Sequence, residues 1–153
     1  MGMKSEDFNS KRYDHNAKTL ANENDVKAFV HNWFAGFDHQ ADICFFKKHL
    51  DPEKVDMYFP DTPPSIINSF GDFENWYKDV IKNIQRNFHE ISNLKVSGDE
   101  AKGFSVSLDI NWKAKTYKGE TLDKKVHQDW KVKMDKDRNF IIKKHCAKDI
   151  KNS

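Results

Sequence analysis

The stretch FSVSLDINWKAKT, residues 104–116, decides the fold. Phe104, Val106, Leu108, Ile110, Trp112 and Ala114 fall on one face, and Ser105, Ser107, Asp109, Asn111 and Lys113 on the other. A period of two sustained along the whole stretch predicts a long strand, buried on one side and wet on the other. Lys118-Gly119-Glu120 then turns the chain. Beyond it Val126, Gln128, Trp130, Val132 and Met134 share a face opposite Lys125, His127, Asp129, Lys131 and Lys133. Upstream, Phe88 to Ser97 leads into the turn Gly98-Asp99-Glu100; downstream, a turn over Asp135 to Asn139 feeds Phe140 to Lys148. Short connections between alternating strands predict an antiparallel meander with one buried face. Strands this long twist, and they need bulges or bends.

The residues before the meander have the helical period instead. Val26, Phe29, Val30, Trp33, Phe34 and Phe37 recur every three or four positions, opposite Lys27, His31 and Asn32, with Asn22 or Asn24 as the cap. A second, short helix is predicted from Asp42 to Leu50, burying Ile43, Phe46 and Leu50 and stopped by Asp51-Pro52. Val55 to Phe59 is a short strand, and Pro60-Asp61-Thr62-Pro63-Pro64 forces a loop. A third helix starts near Asp72, with Phe73, Trp76, Tyr77, Val80, Ile81 and Ile84 on one stripe. Helices first and sheet last predict an α+β fold, a cone-shaped curved sheet, mainly antiparallel, wrapped around N-terminal helices. The first helix fills the concave face and leaves a lined cavity. Residues 1–21 are polar without a period and read as a flexible arm, and residues 22–150 as a single domain.

Composition excludes several classes of function. The 153 residues suit one core, and twelve Phe with four Trp offset an apolar content of only 37%. Net charge is +2 with no basic block, so nucleic acid is not an expected partner. No apolar run approaches the roughly 20 residues of a membrane span, and the first fifteen residues lack an apolar signal core, so the expected location is cytoplasmic. Cys44 and Cys146 are far apart in sequence and are expected as reduced thiols. There is no GxGxxG, P-loop, HxH, CxxC or HExxH, so no cofactor and no metal is expected.

This order of elements resembles the cone-shaped fold shared by nuclear transport factor 2, ketosteroid isomerase, scytalone dehydratase and the SnoaL-like polyketide cyclases. The residues that carry the resemblance are the helix ending in AGFDHQAD (35–42), the segment ICFFKKHLDPEKVDMYFPD (43–61) and the closing hairpin DWKVKMDKDRNFIIKKH (129–145), where Asn139 stands in place of the usual glycine. The superfamily hosts unrelated chemistries, so the likeness implies a fold before a function. Aligning on Pro60 puts Phe59 where ketosteroid isomerases hold a catalytic aspartate. The position of their oxyanion-hole aspartate falls on Trp130, unless a bulge brings Asp129 inward. Without these carboxylates that enolisation chemistry loses its support. Proteins of this fold often pair through their sheets, and the hydrophilic outer face here is compatible with a homodimer without requiring one.

His145 is the foremost acid/base candidate. If Ile141, Lys143, His145 and Ala147 face inward, the imidazole reaches the cavity; if the register shifts by one, Phe140, Ile142 and Cys146 do so instead. Tyr58, just before the loop at the mouth, is the second catalytic candidate. Trp33, Phe59, Trp112, Gln128 and Trp130 are the expected pocket residues, although a tryptophan on an inward strand face more often fills a core. His89, Asp109, His127 and Asp129 fall on polar strand faces and read as a solvated outer surface. Two classes of function follow. One is a pocket protein for a small hydrophobic molecule, and any chemistry would be of cofactor-independent isomerase, cyclase or dehydratase type. The alternative is a non-catalytic adaptor module using the same fold.

Overall fold

The computed structural model describes residues 20–150. Of the arm expected over residues 1–21, all but the last two residues lie outside this range. Helix α1, Glu23–Asp38, starts at a reciprocal cap. The Asn22 side chain accepts the Asp25 N–H at 3.0 Å, and the Asp25 carboxylate accepts the Asn22 N–H at 2.9 Å. Its six-residue stripe from Val26 to Phe37 is buried as expected. Helix α2 is Ile43–Lys47, capped by Asp42, and is shorter than the sequence suggests. Leu50 leaves the helix to make a parallel bridge with Ile142, which ends it early.

Strand β1, Met57–Phe59, is followed by a strand the sequence did not signal, β2, Ser65–Ile67. Three residues are too few to display a period. Helix α3, Phe70–Asn83, is capped by Ser69 and runs straight into β3, Ile84–Asp99. Strands β4 (Gly103–Thr116), β5 (Thr121–Met134) and β6 (Phe140–Asp149) complete a six-stranded sheet in the order β2-β1-β6-β5-β4-β3. Every neighbouring pair is antiparallel except β1 on β6. No described helix is long and apolar enough to cross a membrane.

The alternative registers of the last strand are both present, in different halves. Trp130 pairs with His145 and Lys131 with Lys144, but Val132 pairs with Ile142, so Lys143 is an extra residue at a bulge. Ile142 therefore faces inward before the bulge, and His145 and Ala147 after it. A second bulge lies in β3 between Ser92 and Lys95, with Asn93 at φ 52°. Asparagine tolerates this left-handed conformation better than most residues.

The β3–β4 turn depends on Gly98, whose φ is +115°. A Cβ there would lie 2.3 Å from the Gly103 carbonyl oxygen, which is backbone and cannot move aside. Gly98→Ala is expected to cost about 1–3 kcal/mol. Urea unfolding checks this, and an unchanged midpoint would contradict it.

Candidate functional site

A cavity of about 670 Å³ opens where α1, α3 and the curved sheet diverge. Small-molecule sites span about 300–1,000 Å³. Trp33 and Phe37 of α1, Phe59 of β1, Trp76 of α3 and Trp112 of β4 supply aromatic wall. Phe59 and Trp76 stack at 4.7 Å with planes 11° apart, making a flat slab beside the mouth. The Pro60–Ser65 segment forms the rim, and Lys124 Nζ ties it to the sheet by donating to the Pro60 carbonyl at 3.3 Å. The same ammonium pairs with Asp149 at 3.1 Å.

Besides the rim residues and Asp79 and Asn83 of α3, two sets of polar groups line the strand side of this chamber. On the β3 side, His89 lines the cavity between Phe34 and Trp112. Its Nδ1 lies 2.7 Å from the Asp38 carboxylate at the end of α1, and the same oxygen accepts the His89 backbone N–H at 3.0 Å. A carboxylate only accepts, so Nδ1 carries a proton and Nε2 is the nitrogen left for another partner. The double hydrogen bond also fixes the ring. Asn87, two residues before, accepts from the Trp112 indole and donates to the Phe37 carbonyl at 3.3 Å, which anchors the neighbouring wall.

The second set lies on β5 and β6. Gln128 is 5% exposed, and its Oε1 accepts the Trp130 indole N–H at 2.9 Å. Indole nitrogen can only donate, so the amide's orientation is settled and its NH₂ points away from Trp130. His145 is 3% exposed, and its ring lies 4.9 Å from Phe59 and 5.4 Å from Trp130. Its buried Nδ1 has no hydrogen-bond partner. Burial pushes its pKa down to about 4, with its own backbone pulling the other way, so the imidazole is neutral near pH 7.

Of the residues singled out from sequence, Trp33, Phe59, Trp112, Gln128 and His145 line this cavity together. Trp130 does not line it. It is 1% exposed and packed in the core against Trp33, Phe34 and Phe29, behind Gln128 and His145. Tyr58 is not at the mouth. It points to the outer face of β1, 37% exposed, because Met57 and Phe59 take the inner positions. Asp129 stays outside, where it and Asp109 hold His127 at 3.2 and 2.8 Å. Those contacts, the Asp109 hydrogen bond first, raise the pKa of His127.

His89 corrects the sequence reading, which put it on the solvated face. Its pairing with Trp112 places it inside, and Phe88 is outside with 52% of its surface exposed. The bulge at Asn93 is the reason. It lets Ile91 and Val96, of opposite parity, both face the core, so counting back from Val96 puts His89 on the wrong side. The asparagine in mid-strand was the available signal.

No family model matches the chain, and no curated protein matches it. Solved structures do. A candidate aromatic ring hydroxylase from Novosphingobium aromaticivorans superposes with a TM-score of 0.69 at 11% identity, over 83% of this chain and 87% of that one. A candidate dehydratase of the nuclear transport factor 2-like family from Streptomyces avermitilis gives 0.68 at 14%, over 83% and 95%. Nuclear transport factor 2 from Cryptosporidium parvum gives 0.59 at 15%, over 86% and 98%. The chain has the nuclear transport factor 2-like fold, an α+β cone with a curved, unclosed sheet.

Proposed function

We propose that the cavity binds a small, ring-bearing hydrophobic molecule and that His89, oriented by Asp38, removes a proton from it without a cofactor. The observation that carries this reading is the half-buried imidazole held by a carboxylate on the wall of an aromatic chamber. In the neutral ring, Nε2 is the atom that can accept a proton while the carboxylate holds Nδ1–H. Isomerisation, cyclisation and dehydration all begin with a proton transfer of this kind. Neither His145 nor Tyr58 fits the role of base as well. His145 is too weakly basic when buried, and Tyr58 faces the outside.

The test starts with a thermal-shift screen of ring-bearing metabolites, followed by proton NMR of each stabilising ligand in D₂O. Exchange of a ligand C–H, or turnover, is expected, and His89→Gln should slow it by about 10²–10⁴ while binding persists. A ligand that binds without exchange or turnover would favour the non-catalytic adaptor. That alternative draws on Tyr58 and Ile66, which pair across β1 and β2 and leave 37% and 63% of their surfaces exposed on the outer face.

A further inference from the structure

The face of the sheet turned away from the aromatic chamber carries a second concavity, of about 510 Å³, lined by all four strands of the meander. Two neighbouring rows of cross-strand pairs make it. In one, Ser105 pairs with Lys131 and Lys131 with Lys144. In the other, Lys95 pairs with Ser107 and Ser107 with Asp129. The lysines at the two ends each follow a bulge, Lys95 in β3 and Lys144 next to Lys143 in β6. Bulges bend a strand and re-aim its side chains, and the cleft lies between these two.

The charges of this cleft do not balance. Lys131 and Lys144 stand directly opposite each other, where side chains start roughly 5 Å apart and like charges repel. Lys131 donates to the Ser105 hydroxyl at 2.7 Å, which holds the ammonium over β4 and leaves it two further N–H groups. Among the described residues neither Lys131 nor Lys144 forms an ion pair, whereas Lys113, Lys124 and Lys143 each have one. The acidic residue of the cleft, Asp129, is turned to His127, 3.2 Å from Nε2. Lys95 acts on Asp109, which Asn93 and His127 also hold.

We propose that this cleft is an anion site, and that its occupant is a small phosphate monoester whose phosphate lies between Lys131 and Lys144. A carboxylate brings a single charge and leaves one ammonium uncompensated. A phosphate monoester carries about −1.5 to −2 near pH 7 and offers three strong acceptor oxygens. One such group can therefore meet both ammoniums and still accept from the Ser105 or Ser107 hydroxyl. Lysine binds phosphate as a point charge, so the site selects by charge more than by shape. The volume of the cleft is that of a small-molecule site. It lies on the opposite face from the His89 base and is independent of the proton-transfer reading.

The experiment is NMR titration of the full isotope-labelled chain with glycerol phosphate, glycerol and acetate at constant ionic strength. Glycerol phosphate is expected to shift the amides of Ser105, Lys131 and Lys144 to saturation, and to bind at least about tenfold tighter than acetate. Lys131→Gln and Lys144→Gln should each weaken it by about three- to tenfold, while Lys118→Gln, at the exposed β4–β5 turn, should leave it unchanged. Spectra unchanged away from each substitution show that the variants are folded. Because bound phosphate relieves the like-charge pair, it should also raise the melting temperature of the native chain more than that of Lys144→Gln. No response to glycerol phosphate, equal binding of phosphate and acetate, shifts spread over the surface lysines, or equal affinity in Lys118→Gln and Lys144→Gln overturns the site.

Discussion

Trp130→Ala should lower the unfolding free energy by about 3–5 kcal/mol, while Trp112→Ala should cost about 1 kcal/mol. The two tryptophans are equivalent by pattern, each on the apolar face of a long strand, but they do different work. Trp130 is 1% exposed and meets the rings of Phe29, Trp33, Phe34 and His145. Removing it opens a void in close-packed core and releases the Gln128 amide. Trp112 is half-buried on the cavity wall, with Asn87 as its partner. Denaturant unfolding of the two variants separates these roles. Equal costs would show that the cavity wall and the core are not distinct. Ligand-induced quenching should be reduced in Trp112→Ala, with Trp33 and Trp76 left on the wall to carry the remainder.

His145 should make the protein markedly acid-sensitive above the range in which carboxylates titrate. Its pKa falls from 6.5 in the unfolded chain to about 4 in the fold. Between those values the unfolded chain holds a proton that the native state does not, so stability decreases as pH falls through the window. The full loss is about 3 kcal/mol. His145→Phe removes the titration and keeps a ring in place. The stability of the native protein minus that of the variant is therefore expected to drop by about 3 kcal/mol from pH 7 to pH 4 and then level off. Asp51, Glu100 and Asp109 also have lowered pKa values, from the hydrogen bonds each accepts. They are common to both proteins and cancel in the difference, as does His127, whose raised pKa acts with the opposite sign. A flat difference would mean that His145 is solvated.

The long elements of this fold were legible because each repeats its pattern. The α1 stripe runs over six apolar positions, and the alternation from Phe104 to Ala114 is uninterrupted. The site was legible only in part. Trp33, Phe59, Trp112 and Gln128 lie on unbroken stretches, and their orientation follows from counting. The two histidines lie beyond bulges, at Lys143 and near Asn93, where one extra residue reverses the parity of everything after it. Nothing in the composition of KKH marks such a reversal; it is decided by pairing with β5. The Asp38–His89 contact was out of reach for another reason. It joins a helix terminus to a strand 51 residues later, and no periodicity reports a contact between elements.

The parallel pairing of β1 on β6 bears on the order in which the molecule forms and loosens. Strands β3 to β6 join through successive tight turns, so each hairpin closes a short loop. By contrast, Met57 meets His145 across roughly ninety residues, and the entropy of closing a loop grows with its length. The β1–β6 seam should therefore form late in folding, after the meander exists. It is held by Met57 and Tyr58, with the His145 amide donating to the Asp56 carbonyl at 2.9 Å. In the native state such a seam is a natural place for sub-global opening, in which β1, β2 and the rim part from the sheet while the meander stays intact. Opening along it would expose Phe59 and the ring of His145 together. The amide protons of Tyr58 and His145 would then exchange with solvent sooner than those of β4 and β5, and a ligand would have a route to the buried end of the chamber that does not pass through its mouth.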